Sequence, residues 1–301
     1  MKLKFHTLDV FTREPFTGNP LAVVLEADAV PDDLMQRIAR EFNLSETIFV
    51  QTPADAGNTA KVRIFTPSGE LPFAGHPTVG CSVLLASLKH KDNCSFETEI
   101  RLEAKAGLVP VKVSRIGPDA HAVFTAPKLP TEVGKAPAKD RLAAAVGLAA
   151  EEIGFGPHVP GLFMTSSRVL FVPVASLDAL ARTRVIEPGW SAVLAEAQSF
   201  NVYLYSAGGA DSRTSYRTRL YAPGEGIPED PATGLAAATF PGQLMAHEKR
   251  GDGTNRWRIE QGYEMGRPSQ IDIEADVRDG RIAAVRVGGS AVRIGEGTLQ
   301  V

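Results

Sequence analysis

Three ionisable side chains stand where a polar loop runs into an apolar stretch: Glu46 in Leu44-Ser-Glu-Thr-Ile-Phe-Val50, His76 in Phe73-Ala-Gly-His-Pro-Thr78, and Asp230 in Glu229-Asp-Pro-Ala-Thr-Gly234. A carboxylate carried into apolar surroundings is costly unless it is paired or protonated. Such a group suits giving and taking a proton. Each residue also has a plainer reading: Glu46 as a rim residue facing water, His76 as a satisfied loop histidine, Asp230 as a turn or cap residue. Gly75-His76 and Thr233-Gly234 read as helix starts, and Pro77 suits a first helical turn because its missing N–H costs nothing there. A helix start offers free N–H groups and the positive end of the helix dipole, so it can hold an anion such as a substrate carboxylate.

The two loops are copies. Slid by 156 positions without a gap, Arg63 meets Arg219, Phe65 meets Tyr221, Pro67 meets Pro223 and Pro72 meets Pro228. Each copy leads into an apolar run, Val79 to Leu88 and Leu235 to Phe240. Two copies at so long a period indicate a duplicated domain rather than a solenoid. Two similar domains related by a pseudo-twofold axis would present their matching loops to one cleft. The same offset sets Glu46 against Val202, His76 against Ala232 and Asp230 against Ala74. The chemistry is therefore expected to be divided unequally, with Glu46 and His76 in one half and Asp230 in the other.

The surrounding elements follow from periodicity. Leu3 to Phe11 alternates as a strand, Phe16 to Pro20 is a turn, and Leu21 to Leu25 is a second strand. Asp32 is the expected N-cap of a helix whose Leu34, Ile38 and Phe42 share one face, with Asn43 at its end. Lys61 to Phe65 is a strand. The run Val79 to Leu88 has almost no polar face, so it is a buried helix. Strands over Ser95–Leu102, Val109–Val113 and Ala122–Phe124 must wrap it, giving a barrel-like sheet around one central helix. Ala126 to Asp140, with Pro127, Pro130 and Pro137, reads as a linker. The second half repeats the plan: strands over Arg168–Val174, Phe200–Ser206 and Thr214–Tyr221, a helix over Glu187–Gln198, and a helix from about Thr233 interrupted at Pro241. Ser269–Ala275 and Ile282–Val287 close the sheet, and the Gly-rich Gly288–Gly295 reads as a hairpin. The fold class is α+β, with two pseudo-symmetric domains over residues 1–126 and 127–301; the last strand is free to return to the first domain.

Bulk properties exclude several classes. The chain has 44% hydrophobic and 22% charged residues, an ordinary globular balance. A net charge of -3 without a basic block argues against nucleic acid or an anionic membrane as partner. No run approaches the roughly 18 apolar residues of a membrane helix, and the N-terminus lacks the apolar region of a signal peptide. Cys81 and Cys94 are the only cysteines and have no metal spacing, which points to a reducing cytoplasm. Cys81 lies in the apolar run and reads as core packing.

Seven pieces spread nearly end to end carry a family resemblance: Asp9-Val-Phe11, Gly18-Asn-Pro-Leu-Ala-Val-Val24, Leu44-Ser-Glu46, Phe65-Thr-Pro67, Phe73-Ala-Gly-His-Pro-Thr78, Glu229-Asp-Pro-Ala-Thr-Gly234 and Gly266-Arg-Pro-Ser269. Together they resemble the phenazine-biosynthesis PhzF-like family, which shares the diaminopimelate-epimerase fold. The resemblance implies two barrel-like domains around central helices, a cleft between them, a homodimer, a small-molecule carboxylate substrate, no cofactor and no metal. In the family's phenazine enzyme a glutamate matching Glu46 moves a proton within a dihydro-hydroxyanthranilic acid ring, assisted by a histidine matching His76 and an aspartate matching Asp230. Asn19, Ser45, Gly75, Thr233 and Gly234, all within the matching pieces, are the expected substrate-binding residues.

One position departs from the pattern. The phenazine enzyme has a serine after Asp-Pro-Ala-Thr-Gly, where this chain has Leu235. That bears on the substrate more than on the reaction type. The related epimerases use a cysteine at each helix start; here those positions hold no thiol. Racemisation across two faces needs two bases, whereas a proton shift needs only one group that takes the proton and returns it elsewhere. Glu46 is a single candidate, so a cofactor-independent isomerase is the first reading. A non-catalytic binding protein that keeps the fold, and a two-base epimerase using Asp230, are the alternatives. The burial of Glu46 separates catalysis from mere binding.

Overall fold

A computed structural model describes residues 1–90 and 94–301. In chain order the strands of the first part are β1 (Lys2–Val10), β2 (Asn19–Val24), β3 (Glu46–Gln51), β4 (Ala60–Phe65), β5 (Glu70–Leu71), β6 (Phe96–Ala104), β7 (Gly107–Ile116) and β8 (Asp119–Thr125). Those that follow are β9 (Thr131–Glu132), β10 (Gly161–Met164), β11 (Arg168–Pro173), β12 (Asn201–Ala207), β13 (Tyr216–Ala222), β14 (Ile227–Asp230), β15 (Gly253–Gln261), β16 (Ser269–Arg278) and β17 (Arg281–Gln300). The helices are α1 (Asp32–Phe42), α2 (Gly75–Lys89), α3 (Lys139–Val146), α4 (Leu177–Arg182), α5 (Gly189–Ala197) and α6 (Gly234–His247). The chain forms two compact units, one of Met1–Pro127, Arg267–Gln270 and Val287–Val301, the other of Lys128–Gly266 and Ile271–Arg286. Among the described residues no helix is long and apolar enough to cross a membrane.

In the first unit eight strands close into a barrel. β1 pairs antiparallel with β2 and with β17; β3 with β4, β6 with β7 and β7 with β8 are also antiparallel. β2–β3 and β4–β6 are parallel, and β17–β8 completes the ring. Closure leaves the barrel no edge to template a foreign strand. α2 fills the interior and packs on β1, β2, β3, β6, β7 and β8. Its apolar circumference makes this the only stable place for it. A Cβ on Gly80 would lie 2.6 Å from Leu21 Cδ2 and 2.7 Å from Val10 Cγ2, so only glycine permits α2 to sit this close to β1 and β2. Cys81 faces the same core; burial pushes its thiol up to about 12, which leaves it inert. α1 covers the outside with Met35, Ile38 and Ala39 on Val24, Phe49 and Phe65. Asp32 is its first helical residue, and Pro31, not Asp32, is the N-cap. Asn43 ends it in the left-handed conformation at φ 51°.

The second unit follows the same plan with different cladding. β10–β11 and β12–β13 are antiparallel, while β11–β12 and β13–β15 are parallel. α6 packs on β10 and β11, with Phe240 among the rings of Phe171, Tyr203, Tyr205 and Tyr216. Pro241 does not interrupt α6, which runs on to His247. The burial of Phe240 and its neighbours outweighs the lost backbone hydrogen bond. α3 and α5 form an outer core around Leu142, Val146, Trp190 and Val193. The proline-rich stretch 126–140 is more than a linker: β9 within it pairs with β10, and α3 begins before its end.

Gly288–Gly295 is not a hairpin but part of the 20-residue β17. Its glycines make room for rings. A Cβ on Gly289 would lie 2.3 Å from Phe11 Cδ1, and one on Gly297 2.7 Å from Phe5 Cζ.

Strand pairing also corrects the register of the internal repeat. Phe65 pairs with Thr47, and Tyr221 with Val202. Val202 is thus the counterpart of Thr47, and Glu46 corresponds to Asn201, a buried polar residue 6% exposed. Beyond these strands the second loop is three residues longer and contains a 3₁₀ turn, Pro223–Glu225. Ile64 pairs with Leu71, and Leu220 with Asp230; the helices begin at Gly75 and Gly234. Both alignments set Asp230 against Leu71 and His76 against Leu235. The ungapped matches are therefore wrong: His76 to Ala232 and Asp230 to Ala74 ignore the extra turn, and Glu46 to Val202 ignores a β12–β13 connection one residue longer than that between β3 and β4. The unequal division of ionisable groups survives the correction.

Candidate active site

In the first unit three polar side chains converge at the start of α2. Asn19 opens β2, Glu46 opens β3 beside Leu21 of β2, and His76 is the second residue of α2. His76 Nδ1 lies 3.0 Å from Glu46 Oε2 and 3.3 Å from Asn19 Nδ2. The side chains of His76 and Glu46 are 4% and 12% exposed. The Nδ1–Oε2 contact is short enough for an ion pair if the ring is protonated, but it lacks hydrogen-bond alignment. Glu46 Oε2 and His76 Nε2 are both buried with no hydrogen-bond partner among the described residues. The N-cap residue Ala74 supplies no side-chain hydrogen bond, so the first N–H groups of α2 are not consumed by a side-chain cap there. Thr78 Oγ1 donates to the Ala74 carbonyl at 2.7 Å. Ser45 stands half-buried in the bend before Glu46.

The loop that delivers Asn19 is clamped by an ion pair. Asp9 accepts from Phe16 N at 2.6 Å and from Arg267 Nη2 at 2.5 Å. Arg267 also donates through Nε to the Gly18 carbonyl at 2.9 Å and through Nη2 to the Thr17 carbonyl at 2.8 Å. Gly18 is required for this path: its φ is +69°, and a Cβ would lie 2.4 Å from the Val10 carbonyl oxygen.

In the second unit the start of α6 is built from different parts. Asp230, 6% exposed, accepts from Thr233 Oγ1 at 2.5 Å. Gln261, fully buried, donates to the Asp230 carbonyl at 2.7 Å and to Thr233 Oγ1 at 3.0 Å, and its Oε1 accepts from Thr233 N at 3.2 Å. The same Oε1 accepts from the Tyr203 hydroxyl at 3.3 Å. Burial raises the pKa of that phenol, so it remains a neutral donor. Glu229 is taken up by a two-pronged pair with Arg219 at 2.8 and 2.9 Å. Gly234, buried, is the first residue of α6.

Glu46, His76, Asn19, Ser45 and Gly75 thus gather at one helix start, and Asp230, Thr233 and Gly234 at the other. Sequence reasoning missed Gln261 and Arg267. Arg267 lies inside the quoted Gly266-Arg-Pro-Ser269 piece and could have been read as the partner of Asp9. Nothing short of the three-dimensional pairing marks Gln261.

Known proteins bear on this arrangement. The sequence profile of the family described as "Phenazine biosynthesis-like protein" matches residues 8–297. The chain is 40% identical over 294 residues to an uncharacterised isomerase of Mesorhizobium japonicum, covering 97% of this chain and 96% of the relative. It is 34% identical over 296 residues to the trans-2,3-dihydro-3-hydroxyanthranilate isomerase of Pseudomonas aeruginosa, covering 98% of each. A crystal structure of a Bacillus anthracis phenazine biosynthesis protein of the PhzF family superposes over 100% of both chains with a TM-score of 0.88 at 24% identity.

Proposed function

The chain belongs to the phenazine biosynthesis-like, or PhzF, family of isomerases, and on that premise we propose that it shifts a proton within a small carboxylated, cyclic or unsaturated substrate, with Glu46 as the group that moves it. The observation that carries this reading is the placement of Glu46: a side chain 12% exposed, 3.0 Å from His76 Nδ1, at the start of a buried helix. Glu46 takes a proton from one substrate carbon, the C–H electron pair moves into an enol- or enamine-like system, and the carboxyl returns the proton to another carbon of that system. No electrons are gained or lost, so the route requires neither cofactor nor metal.

His76, 3.0 Å from Glu46 Oε2, positions the carboxyl. Its buried Nε2 is left for a substrate atom to satisfy. The positive end of α2 favours the negative charge that develops in the intermediate. Asp230 is assigned an assisting role, with Thr233 and Gly234 as binding groups. The substrate carboxylate is held by helix-start N–H groups.

The test is turnover of trans-2,3-dihydro-3-hydroxyanthranilate, the compound named for the Pseudomonas relative, followed by NMR alongside other unsaturated cyclic carboxylates. Glu46→Gln keeps the shape and removes the base. Turnover falls by roughly 10²–10⁴-fold, or about 3–5 kcal/mol of barrier. Near-normal turnover in Glu46→Gln sinks the mechanism.

A further inference from the structure

The first unit holds a cavity of about 380 Å³ that none of Asn19, Glu46 or His76 lines. Its size lies within the usual range of small-molecule sites, roughly 300–1,000 Å³. Leu8 of β1 and Val83 and Leu84 of α2 give it an apolar floor, and Ala291 and Val292 of β17 extend that floor. Three guanidinium groups stand around it: Arg13, Arg115 and Arg293. Among the described residues Asp119 is the one carboxylate in the lining. In a chain whose net charge is -3, this is a local excess of positive charge over an apolar base.

The three arginines are not equally committed. Arg13 reaches Asp119 only at 3.6 Å, and its side chain is 61% exposed. Arg293 approaches Glu296 only at 3.9 Å, with its side chain 54% exposed. Contacts this long between exposed groups contribute little, so both cations are available to a ligand at small cost. Arg115 is the fixed member. Its guanidinium lies over the Phe96 ring, 5.0 Å from the centroid, and Nη2 donates to Ser87 Oγ at 2.5 Å. Its Nε is buried with no hydrogen-bond partner among the described residues. A planar cation held in place at the wall of an apolar cavity is suited to pair with a planar anion.

We propose that this cavity is a second small-molecule site, separate from the isomerase centre, that takes a small organic anion with a flat apolar body. The apolar body lies on Leu8, Val83 and Leu84, and the carboxylate meets Arg115, with Arg13 and Arg293 closing over it.

The experiment is isothermal titration of the whole protein with 2-naphthoate and, in parallel, with neutral 2-naphthamide. The naphthoate binds the wild type, and the amide binds far more weakly. Arg115→Gln weakens naphthoate binding by about 10- to 100-fold, the expected loss of one charge-assisted hydrogen bond. Arg293→Gln, at the rim and unable to disturb folding, weakens it several-fold. Isomerase turnover is unchanged in both variants. The proposal is overturned by no binding to the wild type, by affinity in both arginine variants equal to that of the wild type, by equal affinity for the amide, or by naphthoate that only competes with turnover. The last would place it at the Glu46–His76 centre and leave the proposed isomerase reading standing. Sedimentation showing a dimer that Arg293→Glu dissociates, with no naphthoate bound, would give the face to a second copy and overturn it too.

Discussion

The two central helices begin in the same way and are furnished for opposite purposes. At the start of α2, Glu46 Oε2 and His76 Nε2 are buried without hydrogen-bond partners among the described residues. At the start of α6, Gln261 ties the Asp230 carbonyl, Thr233 N and Thr233 Oγ1 into one network, with the Tyr203 hydroxyl behind it. A buried polar atom without a partner costs roughly 1–3 kcal/mol. Such a cost persists where an incoming ligand will relieve it. The first helix start thus keeps two buried polar atoms for a ligand to satisfy, while the second is closed on itself through Gln261 and Thr233.

That contrast places the largest difference in rate. Asp230→Asn should slow turnover clearly less than the roughly 10²–10⁴-fold loss of a general acid/base expected for Glu46→Gln. Steady-state kinetics on both variants decide it. Equal losses would erase the contrast and make the two carboxylates a pair of bases, as in an epimerase.

Stability should separate the two ends the other way. Gln261→Leu leaves the Thr233 N–H and the Tyr203 hydroxyl without their acceptor. Urea unfolding should show a loss of about 1–3 kcal/mol, together with a raised KM from a loosened α6 start. His76→Leu puts at that position the residue type of its counterpart, Leu235. It removes the unpartnered Nε2 but also the Nδ1 contacts with Asn19 and Glu46; the two effects oppose, so stability should change by less than about 1 kcal/mol while turnover collapses. A His76→Leu protein as destabilised as Gln261→Leu would show that His76 is also part of the scaffold.

The sequence carried the broad architecture because the relevant signals are local. The apolar circumference of 79–88 forces a buried helix, and the strands expected to wrap it are β6, β7 and β8. The matching loops mark both helix starts. What it hid depends on pairing. The ungapped offset set Glu46 against Val202, whereas strand register sets it against Asn201; the three-residue turn that displaces Asp230 and His76 is invisible when flanking prolines happen to match. Gly288–Gly295 looks like a hairpin until Phe11 and Phe5 are seen to need the space. Pro241 looks like a break until the aromatic cluster around Phe240 is seen to hold the helix together. Gln261 carried no local signal, since its role lies in what it reaches across the sheet.

The smallest expected effect concerns pH, and it tests whether α6 titrates at its far end rather than at its start. His158 Nδ1 lies 3.1 Å from the Tyr205 hydroxyl; its ring stacks on Phe155 and lies 5.5 Å from that of His247, the last residue of α6. Burial is the main cause that lowers the pKa of both histidines below 6.5; for His158, Glu248 opposes this and His247 adds to it. Their folded pKa values are therefore below the unfolded ones. The folded protein binds fewer protons than the unfolded chain as pH drops under 6.5. The stability these groups contribute is fully present above about pH 6.5 and is lost as pH falls through their folded pKa values. Carboxylates held low by hydrogen bonds, such as Glu260 and Asp276, act only nearer their unfolded values of 4.5 and 3.8. The interval from pH 6.5 down to about 5 therefore belongs to histidines, with His6, also lowered by burial, as the contributor from the first unit. Thermal melts across that interval should show Tm falling by a few degrees. The double variant His158→Gln, His247→Gln should flatten most of the slope, while Gln261→Leu should leave the slope unchanged and shift the whole curve down. A slope that survives the double variant would move the titrating groups away from α6.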